Sequence, residues 1–201
     1  MEQHRYKSIA KDIENILLKE KGSKFIGFAF PINSATELKK PLEKIKTEHP
    51  KATHHCYAFR LGISGENYRA QDDGEPSGSA GLPILNQLLA HEITNVIVIV
   101  VRYYGGTKLG VSGLVKAYKK CAKLTLQEAE IIVKEQEAEL YLEFPFAFQN
   151  NIFTVLNRFE GKIIEFNAEE YGKITAKIPQ SQQENIDEIL TEMKQISFKW
   201  V

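Results

Sequence analysis

Apolar residues change their spacing several times along the chain, and each change marks an element. Between Arg5 and Ile32 the aromatic and β-branched positions Phe25, Ile26, Phe28 and Phe30 stop at Pro31, which predicts strands. Ser34, with Glu37 three residues on, has the form of a capping box. Leu38, Leu42 and Ile45 then follow at helical spacing up to Pro50, and Pro41 inside that pattern is expected to shorten or bend the helix. His55, Tyr57, Phe59 and Leu61 alternate as a strand, and a polar glycine-rich stretch runs from Gly62 to Gly81. Pro83, Leu85, Leu88 and Leu89 open a helix, and Val96 to Tyr103 reads as a buried strand. A second glycine-rich stretch, Gly105 to Gly113, leads into a helix from about Ser112 to Gln127.

The second half is more regular. Glu137 to Phe144 alternates as a strand, and Phe148, Ile152, Val155, Leu156 and Phe159 mark one helical face closed by Gly161 as a C′ residue. Lys162 to Phe166 and Ile174 to Ile178 form a strand pair with a turn at Tyr171-Gly172. Ser181 is placed to cap a helix carrying Ile186, Ile189 and Leu190 through Met193, and Ile196 to Val201 is a closing strand. The order β-α-β-β-α-β is that of a ferredoxin-like sandwich. The expected division is a first domain over residues 1–127 and a second over 128–201, in an α+β chain.

Composition narrows the class. A chain of 201 residues, 43% hydrophobic and 26% charged, is an ordinary globular protein of one or two domains. Met1 to Tyr6 lacks the apolar run of a secretory signal, and the apolar run Val96 to Val101 is far short of the ~20 residues that span a bilayer. No membrane association is expected. Cys56 and Cys121 form neither a CxxC pair nor a disulfide framework, which fits a reducing cytoplasm. The zero net charge hides a split: residues 1–127 carry 19 Lys and Arg against 12 Asp and Glu, and residues 128–201 carry 7 against 14. A basic half beside an acidic half speaks to partners rather than to fold.

Two segments carry candidate chemistry. The first is acidic, Asp72-Asp73-Gly74-Glu75-Pro76-Ser77-Gly78, and the second is basic, Arg102-Tyr103-Tyr104-Gly105-Gly106-Thr107-Lys108. Each joins a regular element to a helix, and glycines let backbone amides approach a ligand. From Arg102 to Lys123 there are six basic residues and no acidic one. Lys116, Lys119, Lys120 and Lys123 form one helical stripe, opposite Leu114, Tyr118, Cys121 and Thr125. That stripe fits phosphates, with Tyr103 and Tyr104 beside it to stack on bases; the competing reading is a solvated lysine face over core tyrosines. The three carboxylates Asp72, Asp73 and Glu75 are open to Mg²⁺, to acid–base work, to pairing with Arg102 or Lys108, or to plain turn chemistry.

Other signals are weak. His54 and Cys56 share a strand face, but a core thiol explains Cys56 without a nucleophile. His49, His54 and His55 lack zinc spacing, and no metal site is assigned. Gly105-Gly106-Thr107-Lys108 lacks the frame of a P-loop, and no dinucleotide fingerprint or nucleophile elbow is present, so no cofactor is expected.

The two loops and their surroundings resemble the YigZ/IMPACT family. The resemblance runs through Asp72 to Gly78, then Gly81, Ile84-Leu85, Leu88, Ile93 and Ile99-Val100, into Arg102 to Gly106, Leu109-Gly110 and Leu114 to Tyr118. It implies a first domain like the second domain of ribosomal protein S5. It implies a second domain like the ferredoxin-like last domain of elongation factor G. RNA or the ribosome is then the expected partner. The family's eukaryotic members act in regulation of translation initiation and carry an extra N-terminal RWD domain that is missing from this sequence. The resemblance transfers no catalytic residue. An enzyme acting on a small anionic or phosphate-bearing substrate through the two loops, metal-assisted or not, is the alternative. A protein partner on the acidic second half is a third reading.

Overall fold

The computed structural model describes residues 4–168 and 170–201. Its strands are β1 (Arg5–Ile9), β2 (Ile13–Glu20), β3 (Ser23–Pro31), β4 (His54–Leu61), β5 (Asn67–Gln71), β6 (Val96–Tyr103), β7 (Ile131–Glu135), β8 (Glu137–Pro145), β9 (Lys162–Ala168), β10 (Tyr171–Pro179) and β11 (Ser197–Trp200). Its helices are α1 (Lys39–Glu48), α2 (Gly81–Ala90), α3 (Gly110–Gln127), α4 (Gln149–Arg158) and α5 (Gln183–Glu192). The chain divides into two compact units. One is Tyr6–Lys134, and in the other His4 and Arg5 join Glu135–Val201.

In the larger unit β2-β3-β6-β4-β5 form an antiparallel sheet, and β1 pairs with β7. Strand alternation on β6 sends Val96, Val98 and Val100 into a core shared with α2 and α3, and Ile97, Ile99 and Val101 into a second core that includes Ile45 of α1. Both faces of β6 are buried, which is why its sequence is an unbroken apolar run. Each such side chain contributes about 1.5–3 kcal/mol. Gly27 lets α3 lie close to β3, since a Cβ there would fall 1.9 Å from the Thr125 hydroxyl.

In the smaller unit the antiparallel order is β11-β8-β10-β9. Leu140, Leu142, Phe144, Ile174, Ala176 and Ile178 pack one sheet face against Ile152 and Leu156 of α4 and Ile186 and Leu190 of α5.

Several local expectations change. Ser34 makes no cap; its hydroxyl bonds Thr36, while Glu37 alone accepts the Asn33 amide. Pro41 sits in the first turn of α1, where amides lack helical acceptors anyway, so nothing is lost. The polar stretch after Gly62 contains β5, hidden because its side chains are largely exposed. Helix α3 begins at Gly110 rather than Ser112. At the end of α4 the positive φ belongs to Glu160, and Gly161 donates to the Leu156 carbonyl at 2.7 Å. Gly161 is small because a Cβ would meet Ile178 at 2.7 Å. Tyr171 and Gly172 are strand residues of β10, with Gly172 making room for the Phe144 ring. Ser181 lies in a short 3-10 turn and bonds the Glu135 carboxylate instead of capping α5.

Candidate nucleic-acid interface

Hairpin β2–β3 turns through Lys21 and Gly22, which both have positive φ (45° and 81°) as a two-residue type I′ turn requires. Gly105 lies against this turn so closely that a Cβ on it would sit 1.9 Å from the Gly22 carbonyl carbon. The Gly105 amide donates to Ser23 Oγ at 3.2 Å. The basic loop is therefore fixed to the hairpin, backbone against backbone.

Alternation along β6 separates Arg102 from Tyr103. Arg102 turns to the α3 side and is only 6% exposed; its Nη1 donates to Glu75 Oε1 at 2.7 Å. Tyr118 of α3 donates to the same oxygen at 2.7 Å. Burial, and then the neighbouring Cys56 and Glu75, push the Tyr118 phenol far up, so it remains a donor. The guanidinium lies 5.5 Å from the ring centres of both Phe25 and Tyr104. Tyr103 points to the opposite face, where its hydroxyl is 2.9 Å from His49 Nδ1. Arg102 is thus an internal partner of the acidic loop and not part of an open surface.

The acidic loop is organised from within. Asp73 and Gly74 have positive φ, and the Glu75 amide donates to the Asp72 carbonyl at 3.0 Å, closing a tight turn. The Asp72 carboxylate accepts the amides of Gly78, Ala80 and Gly81 at 2.8–2.9 Å, and so occupies the N-terminus of α2. Asp73 accepts the His55 amide at 2.6 Å. Ser77 is exposed at the tip. Of the three carboxylates only Glu75 meets the basic segment, and Lys108 forms no ion pair among the described residues. Nor do the described residues contain a group of three or more His, Cys, Asp and Glu side chains placed to hold a metal.

Cys56 is fully buried, with the Asp72 carbonyl 3.0 Å and the Tyr118 hydroxyl 3.3 Å from its sulfur. Desolvation drives its pKa far above the ordinary range, which suits a core thiol and not a nucleophile. His54 donates Nδ1–H to the Asp73 carbonyl at 2.7 Å, since a carbonyl can only accept.

What remains open is the face of α3. Lys116, Lys119, Lys120 and Lys123 are exposed, and Leu114, Tyr118, Cys121 and Thr125 are buried. The first turn of α3 has neither a side-chain cap nor an acidic residue. It lines a cleft of about 320 Å³ with Glu20, Lys21, Lys116 and Lys120. On the other side of the Gly22–Gly105 contact, Lys24, Ile26, His49, Tyr103 and Tyr104 line a cleft of about 440 Å³. Sequence reasoning missed Lys21, Lys24 and His49, because only the hairpin turn and the end of α1 bring them beside the loop.

A family model described as the Impact N-terminal domain matches residues 21–126, which include both loops and nearly all of α3. The chain belongs to the IMPACT family. The IMPACT family member YigZ of Escherichia coli (strain K12) is 33% identical over 161 residues, 79% of each chain. The member YvyE of Bacillus subtilis (strain 168) is 28% identical over 190 residues, 94% of this chain and 87% of its own. A solved structure of a hypothetical protein, 28% identical, aligns over 99% of this chain and 97% of its own with a TM-score of 0.75, so this mixed α/β IMPACT fold is shared. No described helix is long and apolar enough to cross a membrane.

Proposed function

We propose that this IMPACT-family protein binds RNA, and through RNA the ribosome, by seating phosphates on the exposed face of α3. The observation that carries this is the lysine surface: Lys108, Lys116, Lys119, Lys120 and Lys123 are exposed, Lys21 adds a charge from the hairpin, and no acidic residue lies between Arg102 and Gln127. Phosphate binding needs that pattern of charge and the free amides of an uncapped helix start. The aromatic cleft beside it gives bases a place to stack.

The smaller unit supports the same reading. Its strand order, with both helices on one face, supports reading it as a ferredoxin-like sandwich, which we liken to the last domain of elongation factor G. We place the larger unit with the second domain of ribosomal protein S5, and the protein's role in regulation of translation, as in the family's eukaryotic members. The acidic loop argues against an enzyme, because Asp72 and Glu75 are consumed by internal partners.

The test is RNA affinity and ribosome copurification across a salt series. Log K against log salt falls by about 0.7 per phosphate neutralised on a single strand, so four engaged lysines give a slope of about −3. Changing Lys116, Lys119, Lys120 and Lys123 together to Gln flattens the slope and weakens binding to all RNA sequences alike. Absence of RNA and ribosome binding even at low salt overturns the proposal.

A further inference from the structure

Strand β9 is an edge of its sheet, and all 7 of its residues are exposed. An edge offers a row of unpaired N–H and C=O groups, and proteins usually blunt it with proline, charge, a bulge or a covering element. β9 has no proline, and it leaves apolar side chains in solvent: Ile164 is 49% exposed, Phe166 41% and Ile163 36%.

A bulge decides where its two charges point. Glu165 pairs with Thr175 of β10, and the next pair is Ile163 with Ala176, so Ile164 is the extra residue. In a regular strand Lys162 and Glu165, three positions apart, fall on opposite faces. Here Lys162 stands opposite Lys177 and Glu165 opposite Thr175, while Ala176 between them turns into the core. Both charges therefore share the face away from the helices. Two β9 strands laid antiparallel, bulge to bulge, bring Lys162 of each copy opposite Glu165 of the other, with the isoleucines between.

Neither charge is well satisfied inside one chain. The Glu165 carboxylate has no hydrogen bond or ion pair among the described residues. Lys162 has a like charge, Lys177, directly across, which is unfavourable. Its pair with Glu137 is at 2.7 Å, but the lysine side chain is 75% exposed, a setting in which pairs contribute little.

We infer that β9 is the docking edge for a second copy of this chain, joined by antiparallel pairing centred on the Ile163–Ile164 bulge and matched by two Lys162–Glu165 contacts. A contact this short falls below the ~1,200 Å² of a stable interface, so the dimer is weak and fills at roughly millimolar chain.

The experiment is sedimentation of the full chain up to about 1 mM. Wild type forms a dimer. Lys162→Glu alone and Glu165→Lys alone each place like charges opposite one another twice, and each self-associates at least about tenfold more weakly. An equimolar mixture of the two single variants associates one to one, because one strand is then wholly acidic and the other wholly basic at these positions. The double variant Lys162→Glu with Glu165→Lys restores the dimer, which separates pairing from any folding defect. A monomeric wild type at about 1 mM overturns the inference. So do single variants that associate like wild type, or a mixture that stays monomeric.

Discussion

Arg102 and Glu75 lie 27 residues apart in sequence and meet at 2.7 Å with side chains 7% and 3% exposed. Tyr118 completes the arrangement from α3, so one carboxylate ties β6, the acidic loop and a helix together. Removing one member of a buried pair strands the other charge. Glu75→Ala and Arg102→Met are each expected to lower unfolding free energy by about 3–5 kcal/mol. Tyr118→Phe removes the hydrogen bond to the Glu75 carboxylate and the hydroxyl that accepts the weak Cys56 thiol, without stranding a charge, and is expected to cost about 1.5–3 kcal/mol. Urea unfolding with unchanged m-values measures all three; equal losses for Tyr118→Phe and Arg102→Met would show that the ion pair adds nothing.

Asp72 acts by a different route, as an internal substitute for a bound anion at α2. Asp72→Ala leaves the amides of Gly78, Ala80 and Gly81 without their acceptor. The expected cost is about 2 kcal/mol, at the upper end of a lost helix cap. Hydrogen exchange of those three amides should accelerate more than that of Val98 or Val100 at the sheet centre. Exchange rates unchanged at all three positions would remove this role.

Acid should destabilise the larger unit through His55. Burial lowers the His55 pKa below its ordinary 6.5, opposed by the bond to the His49 carbonyl and by Asp73. The folded state thus holds the neutral imidazole, and the unfolded chain binds the proton more readily. Stability from this group is full above pH 6.5 and is lost as pH falls below it, toward the depressed folded value. Thermal midpoints at pH 7 and pH 5 measure the drop. His55→Gln should shrink it; an identical drop in the variant would assign the acid sensitivity elsewhere.

The order of elements was legible wherever apolar spacing was regular, as in β6, α3 and α4, because burial imposes that spacing. The lysine face and the buried side of α3 follow from the same periodicity. Capping and turn details were less legible. Ser34 and Ser181 have the right chemistry for caps, but each hydroxyl finds another partner, Thr36 or Glu135. Proximity of the acidic and basic loops could be anticipated from opposite charge, yet their division of labour could not. Strand alternation buries Arg102 and turns Tyr103 the other way, and Asp72 folds back on its own loop. Lys21 was hidden because its place beside α3 depends on the contact of Gly22 with Gly105, two residues more than 80 positions apart.

Tyr103 and Tyr104 separate two kinds of contribution to the proposed RNA binding. Tyr104 is 48% exposed; its hydroxyl donates to the Gly106 carbonyl at 2.7 Å and its ring neighbours the Arg102 guanidinium. The rest of that ring is open to a base. Tyr103 packs against the α1-side core and bonds His49, so it is largely spent inside the fold. Stacking is worth about 1–3 kcal/mol per base, so Tyr104→Leu should weaken single-stranded RNA binding about 5- to 150-fold. The salt slope should not change, because no phosphate contact is lost. Tyr104→Phe keeps the ring and should bind almost as wild type does. Tyr103→Phe should leave affinity unchanged while lowering stability by about 0.5–1.5 kcal/mol through the lost hydrogen bond. Affinities of the three variants at several salt concentrations, beside their unfolding free energies, make the comparison. If Tyr104→Leu binds as wild type, the aromatic cleft takes no base, and the lysine face must supply the affinity through phosphates alone.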